Sequence, residues 1–455
     1  MSRLRTSVVL LFCLTCGWIS PAFAEKAPGP LARYIAQPDD SYKWVKRREG
    51  DLQGGKFVEL ILTSQTWRGI VWKHALFIFK PAETPDASQA LLLIAGGGWR
   101  PELEQPPTDP NQKLPKEAMI VAALGNHLKA PVATILHVPQ QPIFDGLSED
   151  AAISYTFEQY MKTGDDTWPL LLPMVKSAIR GMDATQEFAK QEWQLDIKHF
   201  TVTGASKRGW TTWLTGAMDA RANAIAPMVI DTLNMNEQMK HQFASWGKYS
   251  EQIEDYTEKG LQNIFETPRG RALTEIVDPF YYREQLDKPK LILNGTNDRY
   301  WALDATNLYW NDLPGEKHVL YVPNRGHDLD DLPRVVGTVA ALHQSAAGRL
   351  KLPTLDWKHE DNGAGHQLTV TSDLQPKSVS AWVAKSKTKD FRESVWSAEK
   401  MNLADGKFAH TEKNGDGGYT AVFGEALYEF GEGSMPFYLS TNVRIFGGDD
   451  QGNGR

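Results

Sequence analysis

Cysteine is almost absent from this chain, which has only Cys13 and Cys16 among its 455 residues. Both lie in a segment organised like a secretory signal peptide, with a basic start, a short apolar stretch and the small residues of Ala22-Phe23-Ala24. We expect cleavage after Ala24, which would leave an exported chain (residues 25–455) with no cysteine for a disulfide. A chain of that length can bury enough apolar surface without disulfides.

Long hydrophobic runs and an excess of basic residues are also missing after that segment. The full chain has a net charge of -7, and loss of Arg3 and Arg5 with the signal peptide leaves 47 basic against 56 acidic residues, a net charge of -9. This balance argues against non-specific binding to nucleic acid or to anionic membranes. No later run is long and apolar enough to predict a transmembrane helix. We therefore expect a periplasmic or secreted protein with no nucleic-acid partner.

Apolar and β-branched runs alternate with amphipathic stretches over residues 25–352. Strands are predicted at 58–64, 70–79, 90–95, 132–137, 200–204, 224–230, 290–294 and 319–322. Helices are predicted near 115–128, after Trp168-Pro169 and from about Leu332 to Leu350. This alternation predicts an α/β fold with a doubly wound, mostly parallel sheet covered by helices.

Two segments break the alternation. Residues 232–287 are polar, charged and predicted to be helical, and this insertion either covers the active site as a lid or only decorates the sheet. Short alternating strands over 353–455 predict a separate small β-sandwich of the immunoglobulin or fibronectin type. His359-Glu360-Asp361 and His366 at the start of that module have no recognised ligand spacing, so we interpret them as a solvated polar loop and predict no metal site.

The sharpest local motif is Gly204-Ala205-Ser206-Lys207-Arg208-Gly209, where a predicted strand meets a predicted helix. A serine on such a tight turn is exposed above the sheet, and small neighbours allow the turn to close. The motif departs from G-x-S-x-G because Arg208 holds the second position after Ser206 and glycine comes one residue later. On its own the hexapeptide fits equally well a serine that caps a helix.

Two further residues follow strands in the order expected of a catalytic triad. Asp298 follows one apolar strand and His327 follows the next. Serine, aspartate and histidine in that chain order are typical of α/β-hydrolases. We therefore predict Ser206 as nucleophile, His327 as base and Asp298 as the acid that orients the imidazole. Asp231, which ends the strand after the serine, is the second candidate for the acid, and Asp304 is the third.

Backbone N–H groups that could bind an oxyanion are predicted at Gly97, Gly98 and Lys207. The two glycines belong to a Gly-Gly-Gly tract after an apolar strand, where a missing side chain lets the backbone approach the substrate. Four tryptophans lie near these motifs, and we expect one or two of them to touch substrate. These are Trp99, Trp210, Trp301 and Trp310, and the predicted pocket combines the first three with Arg208. No cofactor is predicted.

At these motifs the sequence resembles the PhoPQ-activated pathogenicity-related protein family, which includes eukaryotic autocrine proliferation repressors. The likeness covers nearly the whole chain after the signal peptide. It rests on VPQQPIFDG (138–146), TWPLLLPMVKSAIRGMD (167–183), TGASKRGWTTWLTGA (203–217), DPFYYREQLDKPKLILNGTNDRYW (278–301) and YVPNRGH (321–327). The resemblance implies an α/β-hydrolase-like fold, expression under a two-component virulence regulator and a role in withstanding cationic antimicrobial peptides such as melittin.

These observations predict a cofactor-free, exported serine hydrolase that cleaves peptide or ester bonds, with cationic peptides attracted by its acidic surface. One alternative is a carbohydrate or envelope esterase. It is suggested by the basic residue after the serine, because the elbow is similar to that of glucuronoyl esterases; Lys207 and Arg208 would then bind a uronate. Another alternative is a non-catalytic protein that keeps the fold and binds peptides.

Overall fold

The computed structural model describes residues 29–85, 87–106, 114, 116–361, 365–413, 417–430 and 434–448. The predicted signal peptide, with both cysteines, lies outside these residues. The strands are β1 (Lys43–Leu52), β2 (Gly55–Trp67), β3 (Ile70–Lys80), β4 (Gln89–Ile94), β5 (Val132–Ile135), β6 (His199–Ala205), β7 (Ala222–Met228), β8 (Lys290–Gly295), β9 (Lys317–Val322), β10 (Leu355–Asp361), β11 (His366–Ser372), β12 (Ser378–Ser386), β13 (Ser397–Lys400), β14 (Asn402–Ala404), β15 (Lys407–Glu412), β16 (Tyr419–Tyr428), β17 (Phe437–Ser440) and β18 (Arg444–Gly447).

Apart from α1, which precedes β1, the α-helices lie between these strands. They are α1 (Pro30–Ala36), α2 (Lys116–Leu128), α3 (Glu149–Thr163), α4 (Leu171–Trp193), α5 (Lys207–Met218), α6 (Met235–Trp246), α7 (Glu254–Thr257), α8 (Pro268–Val277) and α9 (Leu332–Ala346). In α4, Met174, Ala178 and Met182 are all fully buried, in agreement with their spacing of four.

The main sheet begins with the strand order β1-β2-β3-β5-β4-β6-β7-β8-β9. Strands β5, β4, β6, β7, β8 and β9 pair in parallel, whereas β1, β2 and β3 form antiparallel pairs at one edge. Every residue of β8 is buried. A parallel strand covered on both faces needs a continuous apolar run. The core strands can therefore be predicted from such runs in the sequence.

The carboxyl ends of β6, β7, β8 and β9 lie side by side. Ala205 at the end of β6 is paired with Met228 at the end of β7, and Gly295 of β8 is paired with Val322 of β9. The loops that follow these strands therefore leave the sheet along one edge. In doubly wound α/β folds this edge is where ligand sites form.

Residues 232–287, here called the cap, connect β7 to β8. They contain α6, α7, α8 and short 3-10 helices at 251–253, 261–263 and 279–285. Both ends of the cap meet at the buried carboxylate of Asp278, which accepts hydrogen bonds from the backbone N–H groups of Met235 (2.8 Å) and Phe280 (2.9 Å). Burial raises the pKa of Asp278 to about 7, although these N–H donors oppose the rise.

The C-terminal strands form two β-layers, but one of the layers is continuous with the main sheet. Ser440 of β17 pairs with Val319 of β9, so β17, β16, β12, β13 and β18 extend the main sheet to 14 strands. The second layer is a four-stranded antiparallel sheet of order β10-β11-β15-β14. Leu368 and Val370 of this second layer pack directly over Gly424 of β16, so the two layers face each other.

The interpretation of His359, Glu360, Asp361 and His366 as a loop is wrong, because these residues lie on two paired strands. His359 lies on β10 and His366 on β11, and strand pairing places Asp361 opposite His366. His366 is only 2% exposed, its ring stacks on Phe446, and its Nε2 lies 3.0 Å from Nδ1 of His359. A polar sequence therefore forms paired strands here, and the packing of Phe446 helps to bury His366.

Candidate active site

Ser206 occupies the turn between β6 and α5. Its backbone angles, φ 57° and ψ -127°, are unusual for a residue with a side chain and cost about 1–3 kcal/mol. The turn is held by hydrogen bonds from Ser206 N to Met228 O (2.9 Å) and from Trp210 N to Ser206 O (3.0 Å). This is the geometry of a nucleophile elbow, which presents the serine at the carboxyl edge of the sheet.

Gly209 explains why the glycine of the motif stands one residue later than usual. A Cβ atom on Gly209 would lie 2.7 Å from the carbonyl oxygen of Met228 and 2.6 Å from Cγ2 of Ile230. The first turn of α5 therefore passes so close to the end of β7 that only glycine fits at this position. Arg208, in the position where a glycine is usual, directs its side chain to Glu149.

Asp298 and His327 are brought together by the loops after β8 and β9. A hydrogen bond of 2.9 Å joins Asp298 Oδ2 to His327 Nδ1, and Asp298 Oδ1 accepts a second bond from Tyr300 N at 2.8 Å. The ring of Tyr300 also stacks on the imidazole, with 4.1 Å between centroids. A carboxylate on Nδ1 leaves Nε2 of the imidazole for chemistry.

Nε2 of His327 is buried and has no hydrogen-bond partner among the residues that the structure describes. His327 and Ser206 line the same cavity. Ser206, with its hydroxyl, and His327, with its unbonded Nε2, thus adjoin the same cavity, and the carboxylate of Asp298 is bonded to the other nitrogen of the ring. Such a set can move a proton from a serine to an imidazole.

The two other aspartates considered for the triad have different partners. Asp231 accepts hydrogen bonds from the Tyr309 hydroxyl, from Thr306 Oγ1 at 2.7 Å and from Asn294 Nδ2 at 3.0 Å. Burial raises its pKa to about 6, although the two hydroxyl donors lower it. Asp304 lies 2.6 Å from Nε2 of His241 on α6. Neither carboxylate is hydrogen-bonded to His327 in the structure.

The predicted oxyanion-binding groups lie next to the elbow. Ile94 of β4 is paired with Gly204 of β6, so the loop at Gly97 and Gly98 and the turn at Ser206 start side by side. Gly97 has a positive φ of 105°, which favours glycine. Lys207 is the first residue of α5, so its N–H has no acceptor within the helix. Their role in binding an oxyanion stays a prediction.

The side chains of Lys207 and Arg208 are committed to two acids at the start of α3. Arg208 forms two hydrogen bonds of 2.7 Å with Glu149, and Lys207 Nζ lies 3.0 Å from Glu149 and 2.9 Å from Asp150. Burial raises the pKa of Glu149, but the two cations outweigh it and hold the pKa at about 2. Arg208 is 9% exposed. Carboxylates of the protein already pair with these two cations, which argues against the expectation that they bind a uronate.

Sequence reasoning did not identify Glu149 and Asp150. The nearest signal was Ser148-Glu149-Asp150, an acidic helix start, which indicates where α3 begins and says nothing about its partners. Their contact with Lys207 and Arg208, more than 55 residues further along the chain, comes only from the fold.

A cavity lies beside Ser206 and His327, between the cap and the α/β core. The space inside it that the centre of a water molecule can occupy is about 80 Å³. Of the four residues predicted to form a substrate pocket, Trp210 and Trp301 line this cavity, whereas Trp99 and Arg208 do not. Trp310 instead packs on Trp357 of the C-terminal module, with 5.6 Å between ring centroids. Side chains of α6 and α8 complete the wall, so the cap is part of the site.

Across the described residues, no group of three or more histidine, cysteine, aspartate or glutamate side chains is arranged to hold a metal ion. In that same part of the chain, no helix combines the length and apolar character needed to cross a membrane.

The strand order, the elbow at Ser206 and the acid–histidine pair at the same sheet edge define an α/β-hydrolase fold. The chain belongs to the PhoPQ-activated pathogenicity-related protein family, whose sequence profile matches residues 31–392. It is 31% identical to autocrine proliferation repressor protein A of Dictyostelium discoideum, over 94% of this chain and 90% of that protein.

Distant likenesses are found among solved structures. Acetyl xylan esterase 1 from Thermoanaerobacterium sp. JW/SL YS485 aligns with a TM-score of 0.43 and 13% identity, over 66% of this chain and 87% of the esterase. An S-formylglutathione hydrolase from Agrobacterium tumefaciens aligns with a TM-score of 0.43 and 11% identity, over 67% of this chain and 99% of the hydrolase. A glucuronoyl esterase from Solibacter usitatus aligns with a TM-score of 0.37 and 12% identity, over 66% and 88% of the two chains.

Proposed function

We propose that this protein is an exported serine hydrolase that cleaves ester or peptide bonds through Ser206, His327 and Asp298. One observation carries the proposal. The strained elbow puts Ser206 on the cavity that His327 also lines, and the other nitrogen of that imidazole is bonded to Asp298 at 2.9 Å. A strained non-glycine residue persists only where the surrounding structure enforces it, and such residues cluster at active sites.

In the proposed reaction, the Oγ atom of Ser206 attacks the carbonyl carbon while His327 Nε2 takes its proton. Asp298 stabilises the imidazolium that forms, and the N–H groups of Lys207 and of the loop at Gly97 and Gly98 bind the oxyanion. His327 then gives the proton to the leaving alcohol or amine. Water releases the acyl group from Ser206 by the same steps in reverse order.

Labelling with a fluorophosphonate tests the serine directly. We expect the folded protein to be labelled at Ser206, found by peptide mapping, and Ser206→Ala to remove the label. Heat-unfolded protein is the matched control, because an ordinary serine without the elbow and the imidazole does not react. A folded wild-type protein that takes no label contradicts the proposal.

Export and a role against cationic peptides rest on the sequence. The segment before Glu25 has the features of a signal peptide, and the chain without it has a net charge of -9, which attracts cationic peptides over long range. Protein recovered from the periplasm or the medium is expected to begin at Glu25. Retention of Met1 in cytoplasmic protein contradicts export. Loss of peptide resistance in Ser206→Ala cells would tie resistance to catalysis, and unchanged resistance would favour peptide binding instead.

A further inference from the structure

We propose that the substrate is a carboxylic ester whose acyl group is uncharged and apolar, and that this acyl group occupies the cavity under the cap. The inference rests on the serine-hydrolase function proposed above. The cavity extends from Ser206 and His327 between α3, α5 and the cap. Its wall consists largely of aromatic and aliphatic side chains, among them Phe157, Trp210, Met239, Ile253, Leu261 and Leu273.

The charges at this wall are already paired. Asp150 and Lys207 both line the cavity, and they are bonded to each other at 2.9 Å. Asp150 also accepts a hydrogen bond of 2.9 Å from the hydroxyl of Tyr256, whose pKa burial raises well above its ordinary value. The hydroxyl thus stays a neutral donor. A charged substrate group finds no free counterion among these three side chains.

Apart from the reactive nitrogen of His327, two buried polar atoms of the wall have no hydrogen-bond partner among the described residues. They are Nε1 of Trp301 and Oε1 of Gln262. Both are uncharged, one a donor and the other an acceptor. They can accommodate at most an isolated neutral polar group, and the rest of the guest must be apolar to match the wall.

The free energy of transfer from water decides which chemical groups bind in the cavity. A lysine or arginine side chain placed in the cavity would lose its hydration without gaining a counterion, which is strongly unfavourable. Each methylene group moved from water into an apolar cavity favours binding by about threefold to fourfold. The cavity therefore selects for an apolar acyl chain over acetyl, and against a basic peptide side chain at this position.

Ser206 Oγ forms a bond to the acyl carbon, the ester C–O bond breaks, and the alcohol leaves with the proton that His327 took from Ser206. Water then gives a proton to His327 and adds to the acyl carbon, the bond between that carbon and Ser206 Oγ breaks, His327 passes the proton from water to Ser206 Oγ, and the apolar carboxylic acid is released. No redox partner or further reactant is required.

A series of p-nitrophenyl esters tests the acyl assignment, because the leaving group stays constant while the acyl group lengthens from acetyl to octanoyl. We expect kcat/KM to rise about threefold per methylene until the cavity is filled. Met239→Trp, which narrows the cavity from α6, is expected to lower the octanoyl-to-acetyl ratio at least tenfold. Met239→Ala, which widens it, is expected to move the optimum to a longer chain. Phe243→Trp is the matched control on α6, since Phe243 is 52% exposed and lies outside the cavity lining.

Several results would overturn the inference while leaving the hydrolase intact. One is equal or faster turnover of the acetyl ester than of the octanoyl ester, and another is an equal effect of Met239→Trp on both esters. Faster turnover of octyl acetate than of ethyl octanoate would place the alkyl group on the alcohol side and likewise refute the acyl assignment. Absence of turnover of every ester together with absence of fluorophosphonate labelling at Ser206 would instead refute the proposed function itself.

Discussion

Asp298 and Asp231 follow neighbouring strands of the same sheet and are both almost fully buried, at 8% and 4% exposure. Asp298 is bonded to an imidazole and to a backbone N–H, whereas Asp231 is bonded to two hydroxyls and a side-chain amide. The fold therefore delivers two carboxylates to one edge and gives only one of them an imidazole partner. The partner of a buried carboxylate, rather than its place in the fold, thus decides what the carboxylate can do.

The largest expected difference is in turnover. Asp298→Asn is expected to lower kcat by about 10³- to 10⁴-fold, because the orienting carboxylate is lost and the wrong tautomer of His327 is favoured. Asp231→Asn, the matched change one strand away, is expected to alter kcat by no more than about threefold, since Asp231 does not touch the imidazole. Ester hydrolysis by the two variants measures the contrast, and equal losses would contradict the assignment of the acid.

The second expected difference is in the pH dependence of stability. Burial raises the pKa of Asp231 from its ordinary value of 3.8 to about 6, so the folded protein binds this proton more tightly than the unfolded chain does. Its stabilising contribution is thus fully present below pH 4 and is lost as the pH rises through 6. Relative to Asp231→Asn, the wild type is expected to lose about 2–3 kcal/mol of unfolding free energy between pH 4 and pH 7.

Urea unfolding of both proteins across that range provides the measurement. The difference between the two proteins cancels the contribution of Asp278, whose pKa burial also raises, to about 7. A difference that does not change with pH would show that Asp231 is already ionised throughout.

A smaller effect is expected when Asp231 loses one of its donors. Tyr309→Phe removes a buried hydroxyl that donates to this carboxylate, and we expect it to lower the unfolding free energy by about 1–2 kcal/mol. Tyr321→Phe is the control, because that buried hydroxyl contacts Thr306 and not Asp231. Urea unfolding at pH 7 is expected to show the larger loss for Tyr309→Phe. The reverse order would contradict this account of the Asp231 network.

The smallest expected effect concerns the ring stacked on the imidazole. Tyr300→Ala removes this contact and is expected to lower kcat by about threefold to tenfold, the usual worth of an aromatic pair. Tyr300→Phe keeps the ring and is expected to lose less. The ratio of the two kcat values checks the stacking, and an equal loss would assign the effect to the hydroxyl.

The core strands and the sheet edge that carries the candidate site could be predicted, because buried parallel strands appear in the sequence as apolar runs. Ser206, Asp298 and His327 each follow such a run, and the structure places all three loops at one edge. The long β1 strand was missed, since its charged sequence KWVKRREGDL follows the rule for an exposed edge rather than for a core.

Features that depend on distant partners could not be predicted. The pairing of Arg208 with Glu149 joins residues 59 positions apart, and no local pattern records it. The junction of β17 with β9 is made by backbone groups, which every residue carries, so no side-chain pattern indicates that the C-terminal strands extend the main sheet. The pairing of β10 with β11 at His366 could not be predicted, because the polar residues there are typical of a loop and only their packing shows that His366 is buried.

The hydrogen bonds at Asp278 bring the two ends of the cap together. Because Met235 and Phe280 meet at one carboxylate, the cap begins and ends at almost the same point. Residues can be gained or lost between these two positions without changing the spacing of β7 and β8, which pair directly beneath it. The walls that the cap contributes to the cavity can therefore change without moving Ser206 and His327 from the edge of the sheet.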